Sequence, residues 1–131
     1  MRVMLVEDDE LEVRFLERRF AKAHISTRAC HSAEDAMAEL AAGTLADLDW
    51  IVVDVRLPGA NGFELIDWLA QRRAERRPRV VVFTTSDFHR DLTAARRHDV
   101  DAYFVKGFGE ESADRMIRHM ISVTDSRGAE A

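Results

Sequence analysis

The acidic residues Glu7, Asp8 and Asp9 stand directly after the apolar run 3–6, and another acid, Asp54, directly follows the run 50–53. A hydroxyl, Thr84, and an ammonium, Lys106, follow two further apolar runs, 80–83 and 102–105. Side chains of these types brought to one place can carry phosphoryl chemistry. Carboxylates held together raise one another's pKa unless a cation neutralises them. An all-oxygen site with few protein ligands suits Mg²⁺, which keeps several waters and also binds phosphoryl oxygens. A carboxylate beside such a cation can attack phosphorus and form an aspartyl phosphate, and Asp54 is the candidate nucleophile. Lys106 would neutralise the phosphoryl oxygens and Thr84 would donate a hydrogen bond to them. Lys22 is the only other lysine in the chain, so a lysine at the end of an apolar run needs its own explanation.

These residues are useful only if the chain gathers them. Apolar runs at 3–6, 26–30, 50–53, 80–83 and 102–105 alternate with amphipathic segments, the pattern of a parallel sheet flanked by helices. Three of the runs are rich in Val and Ile without polar alternation, as strands buried on both faces require. The expected fold is α/β: a (βα)5 doubly wound, five-stranded parallel sheet of strand order 2-1-3-4-5. In that order the carboxyl ends of all strands lie along one edge, with the reversal between the first and third strands. Asp54 would then face Glu7 and Asp8.

Helical spacing recurs at Val13, Leu16, Phe20 and Ala23, at Ala36, Met37 and Leu40, and at Ile66, Leu69 and Ala70. Ser32 reads as an N-cap and Gly43 as a C-cap, Pro78 as the stop of the third helix, and 110–124 as the last helix. Residues 1–124 are expected to form one domain and 125–131 a short polar tail. With 131 residues, 47% of them hydrophobic, the chain can bury one core. A net charge of -5 without a basic arm argues against direct nucleic-acid binding. Cys30 is the lone cysteine, which rules out an internal disulfide and fits a reducing compartment. The first apolar stretch is too short for a signal peptide or membrane span, so a cytoplasmic protein without membrane association is expected. His24, His31, His89, His98 and His119 lack ligand spacing.

Four ordered motifs carry a resemblance over about residues 2–124: Val6-Glu7-Asp8-Asp9, Val53-Asp54-Val55-Arg56-Leu57-Pro58-Gly59-Ala60-Asn61-Gly62, Phe83-Thr84-Thr85-Ser86 and Tyr103-Phe104-Val105-Lys106. The chain resembles response-regulator receiver domains of the stand-alone kind. The resemblance implies that Asp54 accepts a phosphoryl group from a histidine kinase or histidine phosphotransfer protein. It implies a signalling phospho-acceptor, catalysing only its own phosphoryl transfer and dephosphorylation. Asp8, Asp54 and the backbone carbonyl of Arg56 would ligate Mg²⁺, with Glu7 acting mainly through water. The acidic register stays open between the pair Glu7/Asp8 and the pair Asp8/Asp9. Thr84 and Tyr103 would form a two-state switch. The output surface would be the fourth helix, fifth strand and last helix, carrying Arg90, Arg96, Arg97, Arg115 and Arg118 toward a downstream protein target. Assembly stays open between monomer and homodimer.

Two residues depart from the family pattern. Gly107 stands where the family has a proline joined by a cis bond, and a trans bond is expected because cis before a non-proline residue costs about 2.5–4 kcal/mol. Arg56 places a guanidinium two residues beyond Asp54, where with Ser86 it would govern the lifetime of the phosphorylated state. That same arginine occupies the place where aspartyl phosphatases need a second aspartate. A flavin-binding reading fails because Glu7-Asp8-Asp9 repels phosphate without a cation. The remaining rival is a receiver-like scaffold that binds its partner without phosphorylation.

Overall fold

The structure, a computed structural model, describes residues 1–43, 47–72, 78–85, 93, 100–107 and 109–130, the side chains of 127–130 excepted. The elements are β1 (Arg2–Val6), α1 (Glu10–Lys22), β2 (Ser26–Cys30), α2 (Ala33–Ala41), β3 (Trp50–Val53), α3 (Gly62–Ala70), β4 (Arg79–Thr84), β5 (Ala102–Val105) and a C-terminal helix, α4 (Glu111–Glu130). All pairings are parallel and the five strands lie in the order β2-β1-β3-β4-β5, the arrangement expected from the alternating runs. The helix expected between the fourth and fifth strands, with Arg90, Arg96 and Arg97, lies outside the described residues, as does Ser86.

Alternation along the strands explains both layers. Met4, Val6, Ile51, Val53, Val80 and Val82 point to one face, where Ala33, Ala36 and Leu40 of α2 and Leu65, Ile66 and Leu69 of α3 cover them. Val3, Leu5, Trp50, Val52, Val81 and Phe83 point to the other, beneath Leu16 and Phe20 of α1 and Ala113, Met116, Ile117 and Met120 of α4. The three inner strands are apolar except at their ends, Arg2, Arg79 and Thr84, because both of their faces are covered, whereas edge strand β2 is mostly half-buried or exposed. Trp50 is buried, and Trp68 is half-buried against the α2–α3 core.

Local signals set the helix ends. Ser32 accepts a hydrogen bond from the Asp35 N–H at 3.0 Å as N-cap of α2. Gly43, at φ +113°, follows the end of that helix and donates its N–H to the Leu40 carbonyl. Two ends differ from expectation. Helix α3 ends at Ala70, where the Gln71 N–H turns back to Asp67 and Leu69, well short of Pro78. Helix α4 continues to Glu130 instead of stopping near Thr124, since nothing in 125–130 is a strong helix stop except Gly128.

Candidate functional site

Register delivers the polar residues to one edge. Val6 pairs with Val53, and Thr84 with Val105. The ladder continues one residue past each strand: Glu7 N–H donates to the Cys30 carbonyl, Asp54 N–H to Val6 and Lys106 N–H to Thr84, at 3.0, 3.1 and 2.8 Å. These backbone bonds fix the origins of three side chains that come from distant parts of the sequence.

The side chains meet around one ammonium. Lys106 Nζ donates to Glu7 Oε2 at 2.8 Å and to Asp54 Oδ2 at 3.1 Å. Glu12 Oε1 lies 3.7 Å from the same nitrogen. Asp54 Oδ1 accepts from the Thr84 hydroxyl and from the Arg56 backbone N–H, both at 3.0 Å. Glu7 is 5% exposed, Asp54 8% and Thr84 0%, so these charges interact with little help from water.

Crowding decides the protonation. Burial, and then the hydrogen bond to Asp54, push the Glu7 carboxyl up to about 7, against the pull of Lys106. Burial opposes the charge on Asp54 too. The bonds from Glu7, the Arg56 N–H and Lys106 together outweigh it and hold Asp54 below the usual aspartate range. Lys106 likewise resists the cost of burial, because Glu7, Asp54 and Glu12 keep its ammonium charged. A proton taken up by the pair therefore favours Glu7, and Asp54 is the carboxylate that keeps its charge and an acceptor oxygen.

The loop after Asp54 is held from two sides. Gly62 opens α3 so close to this loop that a Cβ there would lie 2.6 Å from the Asp54 carbonyl oxygen and 2.8 Å from Val55 Cα. Glu34, at the start of α2, accepts the Ala60 N–H at 2.7 Å, and that bond lowers its pKa. Gly59 turns beneath the same carboxylate at φ +75°, a conformation that suits glycine.

Of the residues singled out from sequence, Glu7, Asp54, Thr84 and Lys106 are brought together. Asp8 is exposed and lies outside this hydrogen-bonded cluster. Asp9 is the N-cap of α1, its Oδ1 accepting the Leu11 N–H at 3.0 Å, so the helix-start reading describes where it sits. Arg56 joins through its backbone N–H, and its side chain is exposed. Tyr103 is half-buried against the α2–α3 core. The Lys106–Gly107 bond is trans, as expected, and the Gly107 N–H donates to Ser112 Oγ at 3.1 Å. Glu12 and Glu34 were missed: the first reads in sequence as one more acid of a first helical turn, and the second as a surface residue of α2.

A metal can be weighed against this donor set. Among the described residues no three Asp, Glu, His or Cys side chains are grouped to hold an ion by themselves. Mg²⁺ does not require such a cage, since it is held by one or two carboxylates plus water and phosphate oxygens. Glu7, Asp54 and Glu12 set three carboxylates against one ammonium. That surplus of negative charge, visible in the raised pKa of Glu7, fits a hard divalent cation.

Known proteins give the same architecture. The response regulator ArlR of Staphylococcus aureus is 27% identical over 119 residues, which are 91% of this chain and 52% of that protein. The nitrate/nitrite response regulator NarL of Escherichia coli is 34% identical over 65 residues, 50% of this chain and 29% of that one. The chain thus spans about half the length, or less, of these curated relatives. Among solved structures, the Mn²⁺-bound form of response regulator Rcp1 superposes with a TM-score of 0.77 at 24% identity, covering 92% of this chain and 91% of that one. The chemotaxis response regulator CheY4 of Vibrio cholerae gives 0.78 at 17%, covering 91% and 97%. The sequence pattern of the response regulator receiver domain matches residues 3–118, and this chain belongs to that family.

Proposed function

We propose that the chain is a phospho-acceptor of a histidine-to-aspartate phosphorelay, modified on Asp54 and signalling through a partner-binding surface. The observation that carries the reading is the set of donors on one buried carboxylate: the Thr84 hydroxyl, the Arg56 N–H and the Lys106 ammonium all converge on Asp54. In the transfer, an Asp54 oxygen forms the new O–P bond as the P–N bond to the donor's imidazole breaks. The electron pair stays on that imidazole nitrogen, and a proton already carried by the other ring nitrogen lets the donor's ring leave as neutral imidazole. Lys106 and Thr84, which donate to the free Asp54 carboxylate, would turn to the phosphoryl oxygens that gain charge and so favour the transition state.

Glu7, Asp8, Asp54 and the Arg56 carbonyl would hold Mg²⁺. Once bound, the cation neutralises the phosphoryl oxygens. The adduct would draw Thr84 off the free carboxylate and shift Tyr103 behind it, a switch set by local charge. The donor is a histidine kinase or histidine phosphotransfer protein, and the target binds near β5 and α4, where Arg115 and Arg118 are exposed. No helix among the described residues is long and apolar enough to cross a membrane, and a cytoplasmic site of action is part of the proposal.

The test is incubation with acetyl phosphate and Mg²⁺, read by intact mass. One base-labile phosphoryl adduct is expected on the wild type and none on Asp54→Asn. A wild type that never gains the adduct would favour a phosphorylation-independent scaffold. Persistence in Asp54→Asn would refute the site.

A further inference from the structure

The backbone of Lys106 is fixed by its N–H bond to the Thr84 carbonyl, but the next residue packs nothing against its side chain. The residue after it is glycine in a trans linkage, and a Cβ at 107 would meet only Ser112, at 3.9 Å. No side chain at 107 packs Lys106 into place, so its ammonium is placed by what surrounds Nζ: Glu7, Asp54, the Phe83 ring at 5.6 Å and Glu12. Glu12 differs from the other acids at the start of α1. Asp9 caps the helix, and Glu10 pairs with Arg14 at 3.5 Å and His31 at 2.9 Å. Glu12 turns instead toward the pocket, 25% exposed, and stands at ion-pair but not hydrogen-bond distance from Lys106.

We propose that Glu12 is a positioning residue that restrains Lys106, drawing the ammonium toward α1 and opposing its move onto the phosphoryl group. The inference rests on the phospho-acceptor reading. Phosphorylation exchanges the Lys106–Asp54 contact for one to a phosphoryl oxygen, and the 3.7 Å ion pair is, beside the 2.8 Å bond to Glu7, a contact that Lys106 must loosen to follow. Neutralising Glu12 removes that restraint while leaving Glu7, Asp54 and Thr84 in place.

Glu12→Gln is expected to raise the rate of adduct formation from acetyl phosphate about threefold, the scale of one partly exposed ion pair. Glu12→Asp, with a shorter reach, should fall between. Glu17→Gln removes the same charge from the same helix farther from the site and should leave the rate unchanged. In a Lys106→Met background the Glu12→Gln effect should vanish, because the two residues act through one contact. An equal increase with and without Lys106 would mean general electrostatics and overturn the proposal, as would an unchanged rate in Glu12→Gln. A second readout needs no phosphodonor: the Lys106 ammonium resonance should shift in Glu12→Gln, with Lys22, the only other lysine, as internal reference. A wild type without adduct defeats the phospho-acceptor reading. An unmoved Lys106 resonance defeats the Glu12 contact itself.

Discussion

At the amino end of the sheet two carboxylates each cap a backbone donor. Asp49 Oδ2 accepts the Arg2 N–H at 2.8 Å, Asp101 Oδ2 accepts the Val80 N–H at 2.6 Å, and Arg79 stands 3.7 Å from Asp101. The buried Trp50 indole N–H donates to Thr124 Oγ1 at 2.9 Å. At the carboxyl end Glu7, Asp54 and Glu12 share one ammonium, and two of those acids are buried. Among the described residues the amino end gives its carboxylates backbone donors and an arginine, whereas the carboxyl end sets three carboxylates against one ammonium. The amino end matches anions to fixed donors and gains stability from them. The carboxyl end keeps a surplus of negative charge that a cation or a proton must relieve, the kind of perturbed cluster that marks functional sites.

Three substitutions would break or sharpen this contrast. The largest effect belongs to Gly62→Ala, because the new Cβ would press on backbone atoms at 2.6 and 2.8 Å that no side-chain rotation can move. A loss of about 3 kcal/mol is expected in denaturant unfolding. An unchanged midpoint would show that the backbone at the charged end yields. Glu7→Gln comes next. The Glu7 carboxyl is raised from 4.5 to about 7 on folding, so the folded state binds more protons between those values. Its contribution is present in full below 4.5 and is lost as pH rises through 7. Without divalent cations, wild-type stability should therefore fall from pH 5 to pH 8, and Glu7→Gln should flatten that fall and gain about 1–2 kcal/mol at pH 8. A destabilised Glu7→Gln at pH 8 would mean that the carboxylate surplus is not a cost. The smallest effect is at the other end: Asp101→Ala should lose about 1 kcal/mol by unpairing the Val80 N–H. If it gained stability, the two ends would not differ in kind.

The fold was largely legible because its signals are local. Each Val/Ile run became a strand within a residue or two of its expected ends, and Ser32 and Gly43 marked the ends of α2 by their own backbone chemistry. The centre of the site was legible for a related reason. Residues just past parallel strands share one edge whatever the helices do, and that rule alone gathered Glu7, Asp54, Thr84 and Lys106. Contacts set by how helices sit on the sheet were not legible. Glu12 reaches Lys106 across 94 residues of sequence only through the way α1 packs beside α4 on one face of the sheet, and Glu34 finds the Ala60 N–H through the packing of α2 on α3. The exposure of Asp8 depends on where the chain turns between Val6 and the α1 cap.

The two tryptophans turn this architecture into an optical instrument. Trp50 is fully enclosed and bonded to Thr124 on α4, four residues along the chain from Asp54. Trp68 is half-exposed beneath the Arg72 guanidinium, 3.9 Å from its ring centre. A collisional quencher in solution reaches Trp68 and is shut out from Trp50. Removing Trp68 by Trp68→Phe leaves a single dry fluorophore whose emission reports whether the end of α4 is docked, so the long helix can be watched separately from the acidic pocket at the other end of the same strand.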